Sequence, residues 1–284
     1  MISGGTGEPV AAARAVARES AHTYQKLFAE RFVAAYVLGS VAHGGYATAV
    51  SDIDLAVILT DTNGHDADTV AEAHEALGRR GALHRKLSVF WGSLAALRRG
   101  EDDGRFPAID RLDLAEHGLC LLGADVAGQL AVPTADELLV DSARFAVKVL
   151  VTEEVTAELG RPRRLLEDPV WFTKAVLFPV RFLFSNTVTM GRAATNDDAI
   201  AWYLAQPEAV AAPLVRLAAE VRAGKPLDPA EAAPPLATGL VHLYRRWTED
   251  QTVRLRRAGA PADLVAVIAE WGDGLARLDA STVY

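Results

Sequence analysis

Two short apolar runs, Ala34-Ala35-Tyr36-Val37-Leu38 and Leu55-Ala56-Val57-Ile58-Leu59, are each bounded by turn residues in the manner of buried strands. Between them lie Gly39-Ser40-Val41-Ala42-His43-Gly44-Gly45 and then Ser51-Asp52-Ile53-Asp54. No other stretch restricts the fold as strongly, because two strands must meet and leave a glycine-rich connection at a sheet end. Glycine at a strand end lets the backbone approach a ligand closely, and Ser40 adds a hydroxyl and an amide able to hold phosphate oxygens. Asp52 and Asp54, two apart on a strand, leave the same face while Ile53 turns into the core. Adjacent carboxylates on one rigid face repel each other unless a cation lies between them, and hard oxygen ligands suit Mg²⁺ carried in with a nucleotide. Gly-Ser alone is a turn, and Asp-x-Asp alone is a solvated strand end or a helix cap. Their order, their placement on two strands and the Gly44-Gly45 turn make the combination much stronger, and it reads as a site for metal-dependent nucleotidyl transfer, an in-line displacement stabilised at both the attacking and leaving oxygens.

At these residues the chain resembles the DNA polymerase β-like nucleotidyltransferase superfamily, whose signature is Gly-Ser, a spacer and Asp-x-Asp. With Gly44-Gly45-Tyr46 and Ser51-Asp52-Ile53-Asp54-Leu55-Ala56-Val57 included, it is most similar to the streptomycin and spectinomycin (aminoglycoside) adenylyltransferases. The resemblance implies an α+β fold: a nucleotidyltransferase domain with a mixed β-sheet flanked by helices over residues 1–130, and an all-α bundle domain over 131–284. It implies transfer of AMP from ATP to a hydroxyl of a small aminoglycoside-like or sugar-like acceptor, with Mg²⁺ as cofactor. Asp52 and Asp54 would be the catalytic metal ligands, and Gly39, Ser40, Ser51 and Arg181 the nucleotide contacts.

Composition agrees with such a chain. With 284 residues, half of them hydrophobic, two modest cores are expected. Cys120 is the single cysteine, which excludes an intramolecular disulfide and a cysteine metal cluster and suits a reducing cytoplasm. No secretory signal pattern opens the sequence, and the most apolar stretch, Ala175 to Phe184, is interrupted by Pro179 and Arg181 and is too short to span a bilayer. A net charge of −8 argues against extended contact with nucleic acid and is compatible with a cationic small molecule, while the resemblance implies a nucleotide and a small-molecule acceptor as partners.

Helices are expected over Glu8 to Arg31 and Asp66 to Arg80, with Gly81 as a stop and a third strand over His84 to Trp91. Leu112 to Gly123 reads as extended or turn structure before a change to helix near Pro133. Thr134-Ala135-Asp136-Glu137 fits a capping box, Asp168-Pro169 and Asp228-Pro229 fit a cap and first turn, and Gly191 fits a helix end. Pro179 is expected to kink its helix. His43 lies within the phosphate loop, and the seven histidines show no metal-ligand spacing.

The chain departs from the pattern of the resemblance in two places. A third carboxylate, the general base, would lie on the strand after Asp-x-Asp, where this sequence has His84-Arg85-Lys86-Leu87-Ser88-Val89-Phe90-Trp91. Lys86 or Ser88 takes that position, and a lysine aimed at divalent ions would be repelled, which favours Ser88. Asp102, Asp103, Glu153 and Glu154 are the substitutes the sequence offers. A turn bearing a phosphate-binding lysine would fall at Met190 to Asp198, where Asn196 occupies the lysine position and Arg192 stands nearby. Arg181 suits phosphate as a planar fork, or lies at the surface with its stem covering apolar groups. The alternative to adenylyl transfer is a protein of the same fold that binds ligand without nucleotidyl transfer, or uses the cleft for a different group.

Overall fold

The computed structural model describes residues 7–189 and 195–281 and divides into two compact units, Met1–Pro133 and Thr134–Tyr284; the sequence places the boundary at 130/131. The first unit is α+β and the second, over its described residues, is all helix.

In the first unit, β1 (Phe32–Val37) pairs antiparallel with β2 (Ile53–Leu59), Ala35 opposite Val57 and Val37 opposite Leu55. Parallel β3 (Leu87–Ser93) joins β2, and antiparallel β4 (Leu119–Gly123) joins β1, giving the mixed order β3-β2-β1-β4. Alternation along the strands sends residues to two cores. Ala35, Val37, Leu55, Val57, Val89 and Trp91 face α1 (Gly7–Phe28) and α3 (Asp66–Gly78) through Ala17, Tyr24, Val70 and Leu77. On the other face Tyr36, Ala56, Ile58 and Phe90 meet Leu97 of α4 (Leu94–Arg99), Phe106 and Leu114 of α5 (Ala108–His117).

Several boundaries differ from those read in the sequence. Leu112 to His117 is helix, and only Leu119–Gly123 is strand. Pro107 presets the start, Gly118 ends the helix, and Ala108, Arg111, Leu112 and Leu114 bury one side of it. The third strand begins at Leu87, since His84–Lys86 forms a 3₁₀ turn, and it runs on to Ser93, whose hydroxyl caps α4. Asp52 precedes β2 by one residue. The segment Gly39–His43, read as loop, is a short helix, α2. The N-terminal helix gives way to a 3₁₀ turn at Ala29–Arg31.

The second unit carries α6 (Ala135–Val149), α7 (Glu153–Gly160), α8 (Pro169–Thr187), α9 (Asn196–Leu204), α10 (Ala212–Arg222), α11 (Pro229–Arg257) and α12 (Ala262–Ser281). The Thr134–Glu137 capping box is formed, and Asp168 and Asp228 each accept backbone N–H groups at the starts of α8 and α11. α8 continues through Pro179 as one helix. Its core gathers Phe172, Val176, Leu240, Tyr244, Trp247 and Trp271. Gly191 lies outside the described residues. Among the described residues no helix is long and apolar enough to cross a membrane.

At the sheet end away from the glycine loop, Arg31 makes a two-pronged bond to Asp66, at 2.9 and 2.7 Å, and Asn63 N–H adds a third at 2.8 Å. The carboxylate is buried, and the Arg31 hydrogen bond holds it below the usual aspartate range. Asp66→Asn is therefore expected to destabilise the first unit by roughly 2–3 kcal/mol at pH 7, because a guanidinium loses its buried partner. A lowered carboxyl pKa stabilises above the unfolded value of about 3.9 and loses that stabilisation as pH falls through the folded value. Urea unfolding of parent and variant should show the gap closing only below about pH 4; a gap unchanged at pH 3 would contradict it.

Candidate functional site

Leu38 leaves β1 still joined to β2, its N–H donated to the Asp54 carbonyl at 2.9 Å. Gly39 then turns with φ +61°, and a Cβ on it would collide with Oδ2 of Asp54. The positive φ favours glycine, and a side chain here would also displace the Asp54 carboxylate. Its N–H is donated to Asp113 Oδ2 of α5 at 2.6 Å, a charge-assisted bond. Asp113 is 7% exposed, and its Oδ1 is buried without a hydrogen-bond partner. Ser40 follows, half-buried, in the first turn of α2.

Gly44 and Gly45, with φ +100° and +79°, carry the chain off α2. A tight turn follows, in which Ser51 N–H meets the Ala47 carbonyl at 2.8 Å and the Ser51 hydroxyl accepts the Ala47 N–H at 3.0 Å. Ser51 is buried, so its hydroxyl serves this turn. The Lys86 ammonium donates to the carbonyls of Thr48, Ala49 and Ser51 and braces the turn from the side of the 3₁₀ segment. Asp52 and Asp54 are half-buried on either side of the fully buried Ile53. Tyr46 lies near Asp52: burial, and then the negative charge of Asp52, raise its hydroxyl pKa, and the hydroxyl is buried without a partner.

Parallel register sets Ser88 beside Asp54. Ser88 shares the face of Phe90, as Asp54 shares that of Ala56, so the two side chains leave the same side of the sheet. A cation adjoins Ser88. Arg105 donates from Nη1 to the Val89 carbonyl at 2.7 Å, its Nη2 is 3.5 Å from Ser88 Oγ, and its guanidinium lies 5.0 Å from the Phe90 ring centre.

Two of the acids offered as substitute bases are engaged by nearby groups of the first unit. Asp102 Oδ1 accepts the N–H groups of Gly104 at 3.1 Å and Phe106 at 2.9 Å. Asp103 accepts the Ser93 N–H and hydroxyl and the Thr62 hydroxyl. Burial alone would raise its pKa, and these hydrogen bonds outweigh it and lower the value. Ser93 is five residues beyond Ser88, about 16 Å along the strand, so Asp103 is remote from the Asp54 end. Glu153 and Glu154 are exposed in the first turn of α7, in the second unit. Arg181 is exposed on α8 and Asn196 opens α9, both also in the second unit. Arg192 lies outside the described residues. His43 ends α2 with its ring 5.6 Å from that of His117 and its Nδ1 buried without a partner.

Gly39, Ser40, Asp52 and Asp54 thus meet around one connection at the sheet end. Asp113 and Arg105 were not legible as members of that group, although an acid among the buried positions of an amphipathic helix is a signal in itself. Among the described residues no group of three or more histidine, cysteine, aspartate or glutamate side chains is placed to hold a metal ion. The Asp52 and Asp54 carboxylates are hard oxygen donors, the type that suits an ion completing its shell with phosphate oxygens and water. No protein-family model matches the chain. No curated protein matches it either.

The contact at Gly39 can be separated from its conformation. Gly259 has a similar φ of +66° with nothing near an added Cβ. Gly259→Ala is expected to lose only the left-handed strain, about 1 kcal/mol, and Gly39→Ala more than that, because the Asp54 carboxylate must also move. Urea unfolding of both variants checks this; equal losses would mean that the approach to Asp54 does not demand glycine.

Proposed function

We propose that this protein is a Mg²⁺-dependent nucleotidyltransferase, similar to the aminoglycoside adenylyltransferases, that moves AMP from ATP to a hydroxyl of a small acceptor. The observation that carries the reading is the contact between the Gly39 backbone and the Asp54 carboxylate. It makes the turn suited to phosphate and the carboxylate pair suited to a metal into one cradle. In this reading the first unit is the nucleotidyltransferase domain and the second is the helical domain.

Asp52 and Asp54 would hold nucleotide-borne Mg²⁺, which would neutralise triphosphate charge and draw electron density from the α-phosphorus. Gly39 and Ser40 would orient the triphosphate, the serine hydroxyl donating to a phosphate oxygen. In the reaction the acceptor oxygen forms a bond to the α-phosphorus, the bond from that phosphorus to the bridging oxygen breaks, and pyrophosphate departs with the electron pair. The acceptor proton passes to water or to a base other than residue 88, which is a serine. A placed general base contributes about 10²–10⁴-fold, so transfer without one is slow but not forbidden. A cationic acceptor agrees with the net charge of −8.

The serine at position 88 and the arginine beside it favour a second reading, a protein that uses the same cradle to bind nucleotide without transferring it. Both readings require the carboxylate pair. Calorimetric titration of the full chain with Mg-ATP is expected to show binding that Asp52→Asn and Asp54→Asn each weaken at least tenfold. If both variants bind as tightly as the parent, the metal assignment is wrong. Adenylyl transfer from α-labelled ATP to an aminoglycoside, aminocyclitol or nucleoside then separates the first reading from the second.

A further inference from the structure

Strand β3 carries no acid on the face it shares with Asp54, and the group fixed there is a cation. Three contacts hold the Arg105 guanidinium: the Val89 carbonyl, Ser88 Oγ and the face of Phe90. A backbone bridge between Arg105 and Trp91, with N–H···O distances of 2.8 and 3.0 Å, anchors the residue that bears it. The side chain is nevertheless exposed, and among the described residues no carboxylate forms an ion pair with it. Donors on the guanidinium therefore remain for a ligand. Ser88 and Asp54 are register partners, so about 4.8 Å of strand spacing separates the backbone beneath Arg105 from the backbone that carries the carboxylate.

A guanidinium fixed at this place would repel a second divalent ion and attract phosphate oxygens, which it binds as a planar fork. From this we infer that the site takes a nucleoside triphosphate with one divalent ion, and that Arg105 binds the polyphosphate directly, in place of a second ion and of the acid that would hold it. The inference rests on the nucleotide-binding reading above. It also gives Ser88→Glu a definite outcome: the new carboxylate would pair with Arg105 and recruit no metal. Only with Arg105 removed would the carboxylate introduced at position 88 join Asp54 in holding a second ion.

The test uses the full chain, Mn²⁺ and a non-hydrolysable ATP analogue, with bound Mn²⁺ counted by electron paramagnetic resonance and affinity measured by calorimetry. The parent is expected to bind one Mn²⁺ per analogue. Arg105→Ala should weaken the analogue about tenfold or more, and Arg105→Lys, which keeps the charge but not the fork, less. Ser88→Glu alone should still bind one Mn²⁺, and Ser88→Glu combined with Arg105→Ala should bind two. Should the alanine variant fail to fold, Arg105→Gln removes the charge with much of the stem retained and carries the same expectations. A parent that binds no nucleotide overturns both this inference and the reading beneath it. A parent that binds the analogue with two Mn²⁺, an Arg105→Ala or Arg105→Gln variant that binds as tightly as the parent, or a second Mn²⁺ recruited by Ser88→Glu alone overturns the role of Arg105 and leaves nucleotide binding standing.

Discussion

Gly39 stands between two carboxylates: its N–H is bound by Asp113 and the space where a side chain would grow is filled by Asp54. Every other feature of the candidate site is referred to this one residue. The bond to Asp113 ties the turn to α5, which covers one face of the sheet through Leu114, so the position of the turn is set by a packed core. The contact with Asp54 ties the same turn to β2, through which Asp54 meets Ser88 in register. A shift of the backbone here would move the serine that follows, the carboxylate beside it and the buried acid behind it together.

Charge around this point is arranged by elements from distant parts of the first unit. Acids converge from the β1–β2 connection and from α5, while two cations approach from the β3 side. Lys86 is committed to the carbonyls that shape the turn before Asp52. Arg105 is committed to the strand edge and to Phe90, yet stays exposed. The proposed reading matches this charge pattern to a ligand that carries its own cation and several anionic oxygens. Mg-nucleotide has that composition.

The features legible in the sequence were those decided within a few residues. Strands β1 and β2 announced themselves as apolar runs with turn residues at their ends, and Thr134, Asp168 and Asp228 as caps, because each bonds backbone N–H groups two or three residues away. The helix α5 was hidden because Leu112, Leu114, Leu119 and Leu121 alternate with other residues as in a strand, while the helical spacing of Ala108, Arg111 and Leu112 begins upstream of that run. The contacts that complete the site join residues 74 apart at Gly39 and Asp113, and 17 apart at Ser88 and Arg105, and no local period encodes them. Likewise, the sequence could narrow the third-acid position to Lys86 or Ser88, but only the pairing register decides which lies beside Asp54.

The central claim is that Asp52, Asp54 and the Gly39-Ser40 turn form a single cradle for a metal-bound nucleotide. A crystal structure of the full chain with Mg²⁺ and a non-hydrolysable ATP analogue tests it most directly. The expected result has the ion ligated by oxygens of Asp52 and Asp54, with the triphosphate lying against Gly39 and Ser40. A nucleotide bound elsewhere, or an ion held by neither aspartate, would contradict the claim.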